Sequence, residues 1–241
     1  MSKAIVKSVF TVGLLALLLA APVASASVNK SVTIEAGSES DGASSVNGSV
    51  TVEEGAVVTG EVSTVNGKVR VEDNARVGDA STVNGTVTIG DNVTADSLET
   101  VNGAVRVGKG SEISRMVGAV NGSIEIDSGT TVGGNVANVN GAIDVTDVEI
   151  GGNIESVNGN LYVRDGSVVK GDIVIEKPSF WSFGNKNSKK PKILIGPGSV
   201  VEGSIIVERE VELYISESAE VGGVEGVMSM DDAIRFSGDS P

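Results

Sequence analysis

A Val-Asn-Gly tripeptide recurs along this chain at an almost constant interval, and no other feature constrains the fold as strongly. A degenerate copy, Val28-Asn29-Lys30, comes first, and the complete copies begin at Val46, Val65, Val83, Val101, Val120, Val139 and Val157. Successive copies are always 18 or 19 residues apart. A fixed period of this length is typical of repeat proteins, in which each copy forms one structural unit.

Each copy also carries regularly spaced aliphatic residues. Val65-Asn66-Gly67, for example, is followed by Val69-Arg70-Val71 and then by Val77. Aliphatic residues that flank one polar residue predict a short strand with one face turned inward. The motif Val and the apolar positions six and twelve residues after it are evenly spaced, which predicts three short strands per copy with a corner after each.

Two all-β folds use such a pattern. Asn-Gly between apolar runs favours hairpins and an antiparallel meander. A meander has no reason to keep one period through eight copies, whereas a coil whose turns stack in register does. We therefore predict a three-sided parallel β-helix (β-solenoid) of about ten 18–19-residue turns, with Val stacked on Val and Asn on Asn. The sequence does not indicate its handedness.

The first 26 residues differ in character from the repeat. Lys3 and Lys7 precede an apolar run from Val9 to Leu19, and Ala24-Ser25-Ala26 ends the segment. This pattern is typical of a secretory signal peptide cleaved after Ala26, and an uncleaved anchor is the alternative. We expect an exported protein, located in the periplasm or at the cell surface.

The remaining chain divides into a solenoid and a tail. Residues 27–227 are predicted to form the solenoid, with a frayed or capping first turn at 28–45 and a loop insertion at 177–192. Residues 228–241 are predicted to be a tail or C-terminal cap, in which residues 233–236 lie across the open end of the coil.

The 177–192 segment is a concentrated departure from the repeat. Pro178 and Pro191 bound it, which suits a loop better than a central strand. Its candidate partner-binding residues are Phe180, Trp181, Phe183, Lys186, Lys189 and Lys190. Either these aromatic residues anchor in an envelope or surface partner while the lysines meet anionic groups, or the aromatics cover a corner of the rod and the lysines keep the loop soluble.

Composition limits the chemistry that the chain can perform. The net charge is −14, and loss of Lys3 and Lys7 with the signal would make it −16, which disfavours nucleic-acid binding. The chain has no His and no Cys, so His-based triads, thiolate nucleophiles and His or Cys metal sites are excluded. We expect no cofactor, no small-molecule substrate and no enzymatic activity.

The motif asparagines are the most regular polar residues of the repeat. They are Asn47, Asn66, Asn84, Asn102, Asn121, Asn140 and Asn158. A row of amides suits ligand binding, but stacked amides at a corner also bond to each other, and we favour this structural ladder. The adjacent Gly is expected to supply a positive φ.

A second motif, aliphatic-x-Gly-x-aliphatic, carries a family resemblance. It occurs at 58–62, 132–136, 169–173 and 201–205. Coils built from such units resemble the bactofilins, polymer-forming bacterial cytoskeletal β-helix proteins, over roughly residues 46–224. The resemblance implies a three-sided β-helix, end-to-end polymerisation without nucleotide, and a scaffold role. Bactofilins are cytoplasmic and lack the regular Asn, whereas similar Gly-rich repeats in bacterial surface adhesins suit an exported chain.

Together these features predict a non-enzymatic structural or scaffold solenoid of the bacterial cell envelope that associates with itself and polymerises. The first alternative is a surface adhesin that binds cells or polysaccharide. The second is a polysaccharide-active β-helix enzyme, for which Arg70, Arg106, Glu125 and Asp144 share one outward position of the repeat.

Overall fold

The computed structural model describes residues 25–178 and 190–241. The predicted signal peptide up to Ala24 therefore lies outside the described residues. Of the six loop residues singled out above, Lys190 is described, and the others lie outside: Phe180, Trp181, Phe183, Lys186 and Lys189.

Successive copies stack as turns of a parallel β-solenoid, as the period predicts. The strand pairs in the described residues are parallel, and each strand pairs with its equivalent one turn away. Three sets of strands give the coil three faces and about 11 turns. At about 4.8 Å between paired strands, the rod is roughly 50 Å long.

The first face ends at the Asn-Gly corner, and the second and third faces follow it along the chain. First-face strands are Ser25–Ser27, Ala43–Ser45, Val62–Asn66, Ala80–Asn84, Leu98–Asn102, Val117–Asn121, Val136–Asn140, Ile154–Asn158 and Ile173–Ile175. Second-face strands are Val32–Ile34, Val50–Val52, Val69–Val71, Val87–Ile89, Val105–Val107, Ile124–Ile126, Ile143–Thr146, Leu161–Arg164, Lys192–Ile195, Glu212–Ser216 and Ile234–Phe236. Third-face strands are Glu39–Ser40, Val57–Val58, Arg76–Val77, Thr94–Ala95, Glu112–Ile113, Thr131–Val132, Glu149–Ile150 and Val168–Val169. Val200–Val207 and Glu220–Gly226 run across the third and first faces and join them into one sheet.

The core is a column of small aliphatic side chains inside the coil. Val69 and Val71 of the second face and Val77 of the third face are buried, as their spacing predicts. The second and third faces therefore point mostly β-branched residues inward, which is the alternation expected of a half-buried strand.

The motif Val, by contrast, lies outside the core cluster in every copy, and it is buried only at Val157. In the strand Val62–Asn66, the buried residues are Val62 and Thr64, whereas Val65 points outward and is half-exposed. The spacing of six correctly places a strand here, but it does not indicate which residues of the strand face inward. Side chains alternate between the two sides of a strand, so Val65, three residues after Val62, must lie on the opposite side.

The first turn is regular rather than frayed. Glu39–Ser40 pairs with Val57–Val58, and Ala43 is fully buried. Ser25–Ser27 pairs with Ala43–Ser45, so the first strand begins two residues before the predicted cleavage point.

Residues 234–236 of the C-terminal segment extend the coil by one strand instead of lying across its end. Ile234–Phe236 forms a further second-face strand, parallel to Glu212–Ser216. A short 3-10 turn at Met230–Asp232 precedes it. Within the described residues no helix is long and apolar enough to cross a membrane.

Candidate functional site

The motif asparagines form one continuous chain of hydrogen bonds along the corner between the first and second faces. In each of these residues, Nδ2 donates to Oδ1 of the Asn one turn nearer the N terminus, over 2.9–3.2 Å: Asn47, Asn66, Asn84, Asn102, Asn121, Asn140 and Asn158. Asn29 accepts the first bond. All of these side chains except the half-buried Asn158 are exposed. Because the amides bond to one another, this geometry supports the structural ladder over a row of ligand-binding groups.

Arg209 closes the ladder at its C-terminal end. Its Nη1 donates to Oδ1 of Asn158 over 3.0 Å and to the backbone carbonyl of Val157 over 3.5 Å. Glu208 and Arg209 occupy the Val and Asn positions of a later turn, because Glu208 N–H donates to the carbonyl of Ile175. The long guanidinium side chain therefore spans the intervening turn, in which Lys177 replaces the Asn.

A second, buried column of polar side chains lies just inside the same corner. Thr64, Thr82 and Thr100 are at most 3% exposed, and each Oγ1 donates to the carbonyl of the motif Gly one turn before, at 2.7–2.9 Å. Asn138 makes the equivalent bond through Nδ2 to Gly122 over 2.8 Å. The sequence interpretation missed this column. Its signal was present, since the residue before the motif Val is Ser, Thr or Asn in every complete copy but one, where it is Ala119.

The motif Gly is required by close contact between turns rather than by φ. A Cβ on Gly85 would lie 1.7 Å from the carbonyl oxygen of Gly67, and a Cβ on Gly122 would lie 1.7 Å from that of Gly103. Gly103 and Gly141 have a positive φ, but the other motif glycines do not. The predicted reason for Gly is therefore wrong at most corners, because the backbones approach too closely for any side chain.

Positive φ occurs instead at the corner between the second and third faces. Gly55, Asn74, Asn92 and Gly110 occupy equivalent positions there, with φ between 55° and 68°. Gly and Asn tolerate this conformation better than other residues. This second corner therefore explains why Asn or Gly recurs seven residues after the motif Gly in these four copies.

The outward charges on the second face lie in one column, as their shared repeat position predicts, but they are ion-paired. Arg106 Nε lies 3.0 Å from Glu125 Oε2, and Arg164 Nε lies 2.8 Å from Asp144 Oδ1. The hydrogen bond to Asp144 raises the pKa of Arg164. A depression of about 360 Å³ beside these pairs is open to solvent. Both carboxylates in this column therefore have an arginine as their partner.

Glu99 is a carboxyl with a perturbed protonation equilibrium on the first face. Burial raises its pKa, the nearby Asp79 and Glu61 raise it further, and Arg115 opposes them. Arg115 is itself paired with Asp79. No group of three or more acidic residues within residues 25–178 and 190–241 is arranged to hold a metal ion.

The described ends of the 177–192 loop are fixed by polar contacts. Lys177 N–H donates to Glu208 Oε2 over 3.2 Å, and Lys190 Nζ lies 2.7 Å from Glu210 Oε2. Lys192 begins a second-face strand, and its Nζ lies 4.6 Å from the centre of the Tyr214 ring. Both ends therefore lie at the first-to-second-face corner, in line with the Asn ladder.

Comparison with protein-family models, with curated proteins and with solved structures finds no match to this chain.

Proposed function

We propose that this protein is a non-enzymatic, exported structural element of the bacterial cell envelope, which acts as a rigid rod and associates with copies of itself. The observation that carries the proposal is the unbroken Asn ladder from Asn29 to Asn158. Seven successive side-chain bonds join eight turns in one register. The most regular polar residues of the chain bond to one another across successive turns. Such bonds stabilise a rod of fixed length and resist its bending.

The side chains outside the ladder also support a structural role. The charged column on the second face is neutralised by its own ion pairs. The buried Thr column also joins neighbouring turns and is not accessible to a ligand. The sequence favours the loop that begins after Lys177 as the attachment point for a partner.

A spacer role predicts that function depends on the number of turns. Deleting residues 83–119 removes two whole turns and joins equivalent positions, which preserves register. Repeating the same segment adds two turns. We expect envelope integrity, measured as survival in detergent, to be lost in both variants, although each is exported and folded by circular dichroism. Normal survival with a shortened and with a lengthened rod would refute a spacer role.

The enzyme alternative is tested separately. The purified protein would be incubated with acidic and neutral polysaccharides and assayed for reducing ends and unsaturated products. We expect neither product, and release of either product that is lost in Arg164→Gln would establish the enzyme alternative instead. Binding of the monomer to intact cells or to immobilised polysaccharide would favour the adhesin.

A further inference from the structure

The two ends of the rod are not equivalent. At the C-terminal end, Met228, Met230 and Ala233 pack against the end of the core. Arg235 pairs in register with the inward Ile215, and its Nη1 donates to the carbonyl of Ser216 over 3.4 Å. Arg235 is exposed, and a charge on a terminal strand opposes the stacking of another turn.

The N-terminal end is open within the described residues. An open depression of about 540 Å³ lies there, lined by Ser25, Ile34 and Asp41 among others. Val32 N–H donates to the carbonyl of Ser49, and the carbonyl of Ile34 accepts from Glu53. In a parallel pair, alternate residues bond to opposite neighbours, so the N–H and C=O of Thr33 point away from the rod.

The two ends of the rod also differ in net charge. Residues 208–241 contain nine acidic and two basic residues, which gives a net charge of −7. Residues 27–45 contain Lys30 and three acidic residues, Glu35, Glu39 and Asp41, which gives −2. Head-to-tail stacking would bring the strongly acidic C-terminal end onto an acidic surface, whereas contact between two N-terminal ends brings together the less charged pair.

We propose that the N-terminal end is the self-association surface, and that its occupant is the N-terminal end of a second copy related by a two-fold axis perpendicular to the rod. This contact pairs the open edges as antiparallel strands. If the two-fold axis passes through the middle of the first face, the first faces of the two copies meet each other. The second face of each copy then meets the third face of its partner. Lys30, at the start of the second face, then lies against the partner's Asp41, at the end of the third face, and the pair occurs twice.

This inference rests on the self-association stated in the proposed function, and it restricts that association to the N-terminal end of the rod. Closed C-terminal ends make the product a dimer of twice the rod length, not a filament. Length-dependent envelope integrity in a strictly monomeric protein would leave the spacer role standing and overturn only this inference.

The test is sedimentation velocity across a range of concentrations on the protein purified as the cell produces it. We expect a reversible dimer, with small-angle scattering showing doubled length and unchanged thickness. Lys30→Glu and Asp41→Lys should each raise the dimer dissociation constant at least about tenfold, and the double variant should restore it to within about threefold. Lys68→Glu, an exposed charge change away from the ends, is the matched control and should have no effect.

Several outcomes would overturn the proposal. A monomer at all concentrations means that solvent or the preceding residues of the same chain occupy this end. Species longer than a dimer mean that the C-terminal end also associates. Failure of the double variant to recover, or an equal loss in Lys68→Glu, means that Lys30 and Asp41 do not face each other.

Discussion

Removal of one interior rung of the Asn ladder is the most direct test of what the ladder contributes. Asn102→Ala removes two hydrogen bonds, from Asn102 to Asn84 over 2.9 Å and from Asn121 to Asn102 over 3.0 Å. An intramolecular hydrogen bond contributes about 1 kcal/mol net, and exposure places these near the lower part of the range. We expect a loss of about 1–2 kcal/mol in the free energy of unfolding.

The end of the ladder supplies an internal control. Asn29 takes part in one bond, as the acceptor from Asn47, so Asn29→Ala should cost about half as much. Urea unfolding followed by circular dichroism measures both changes. Amide exchange at Gly103 and Gly122, which donate across the same corner, reports whether the loss is local.

Asn102→Asp separates hydrogen bonding from the loss of side-chain contacts. The carboxylate still accepts from Asn121 but faces Oδ1 of Asn84 without a proton to donate. Protonation restores a donor, so the stability of this variant should recover as the pH falls through the pKa of the introduced carboxyl. Losses below about 0.3 kcal/mol in Asn102→Ala, or equal losses in Asn29→Ala and Asn102→Ala, would show that the ladder does not stabilise the rod.

Three further changes test the other features of the corner and the first face. Gly85→Ala should destabilise by about 3 kcal/mol or more in urea unfolding, because its Cβ would lie 1.7 Å from the carbonyl oxygen of Gly67; a loss below about 1 kcal/mol would contradict the close contact. Thr82→Val should cost about 1–2 kcal/mol, because the carbonyl of Gly67 loses its buried donor. The outward Ser81→Ala loses only a partly exposed bond to Glu61 and should cost less; equal losses would argue against the Thr column. Burial raises the folded-state pKa of Glu99, so the folded state binds this proton more tightly and its stability should rise as the pH falls through the raised value towards 4.5. Thermal melts of Glu99→Gln should lack this part of the pH dependence, and an unchanged profile would exclude Glu99 as its source.

The fold could be predicted because the period and the aliphatic alternation are repeated in every copy. Val69-Arg70-Val71 alone does not distinguish a solenoid from a meander, and only eight copies at one spacing favour stacking. The turns are 18 or 19 residues long because corner lengths vary: Val58 to Val62 is four residues, whereas Val77 to Ala80 is three. The strands keep their register while the corner absorbs the difference.

The errors arose where the sequence pattern does not indicate the side of a strand. Val65 is aliphatic and regular, yet the alternation of side chains along the strand turns it outward and places Thr64 inside. Gly67 looked like a turn residue, whereas the distance between stacked backbones decides its identity. Arg209 could not be assigned to the ladder, because the insertion after Lys177 hides its equivalence to the motif Asn.

The ladder has a direction, and this limits how the rod can be extended by engineering. Every amide donates towards the N terminus, so the side-chain dipoles along the corner are aligned, and the oxygen-bearing end meets the guanidinium of Arg209. A grafted repeat placed before Val28 needs only an Asn that accepts from Asn29. A graft placed after Asn158 must first displace Arg209 from its acceptor, so the two termini are unequal starting points for a longer protein.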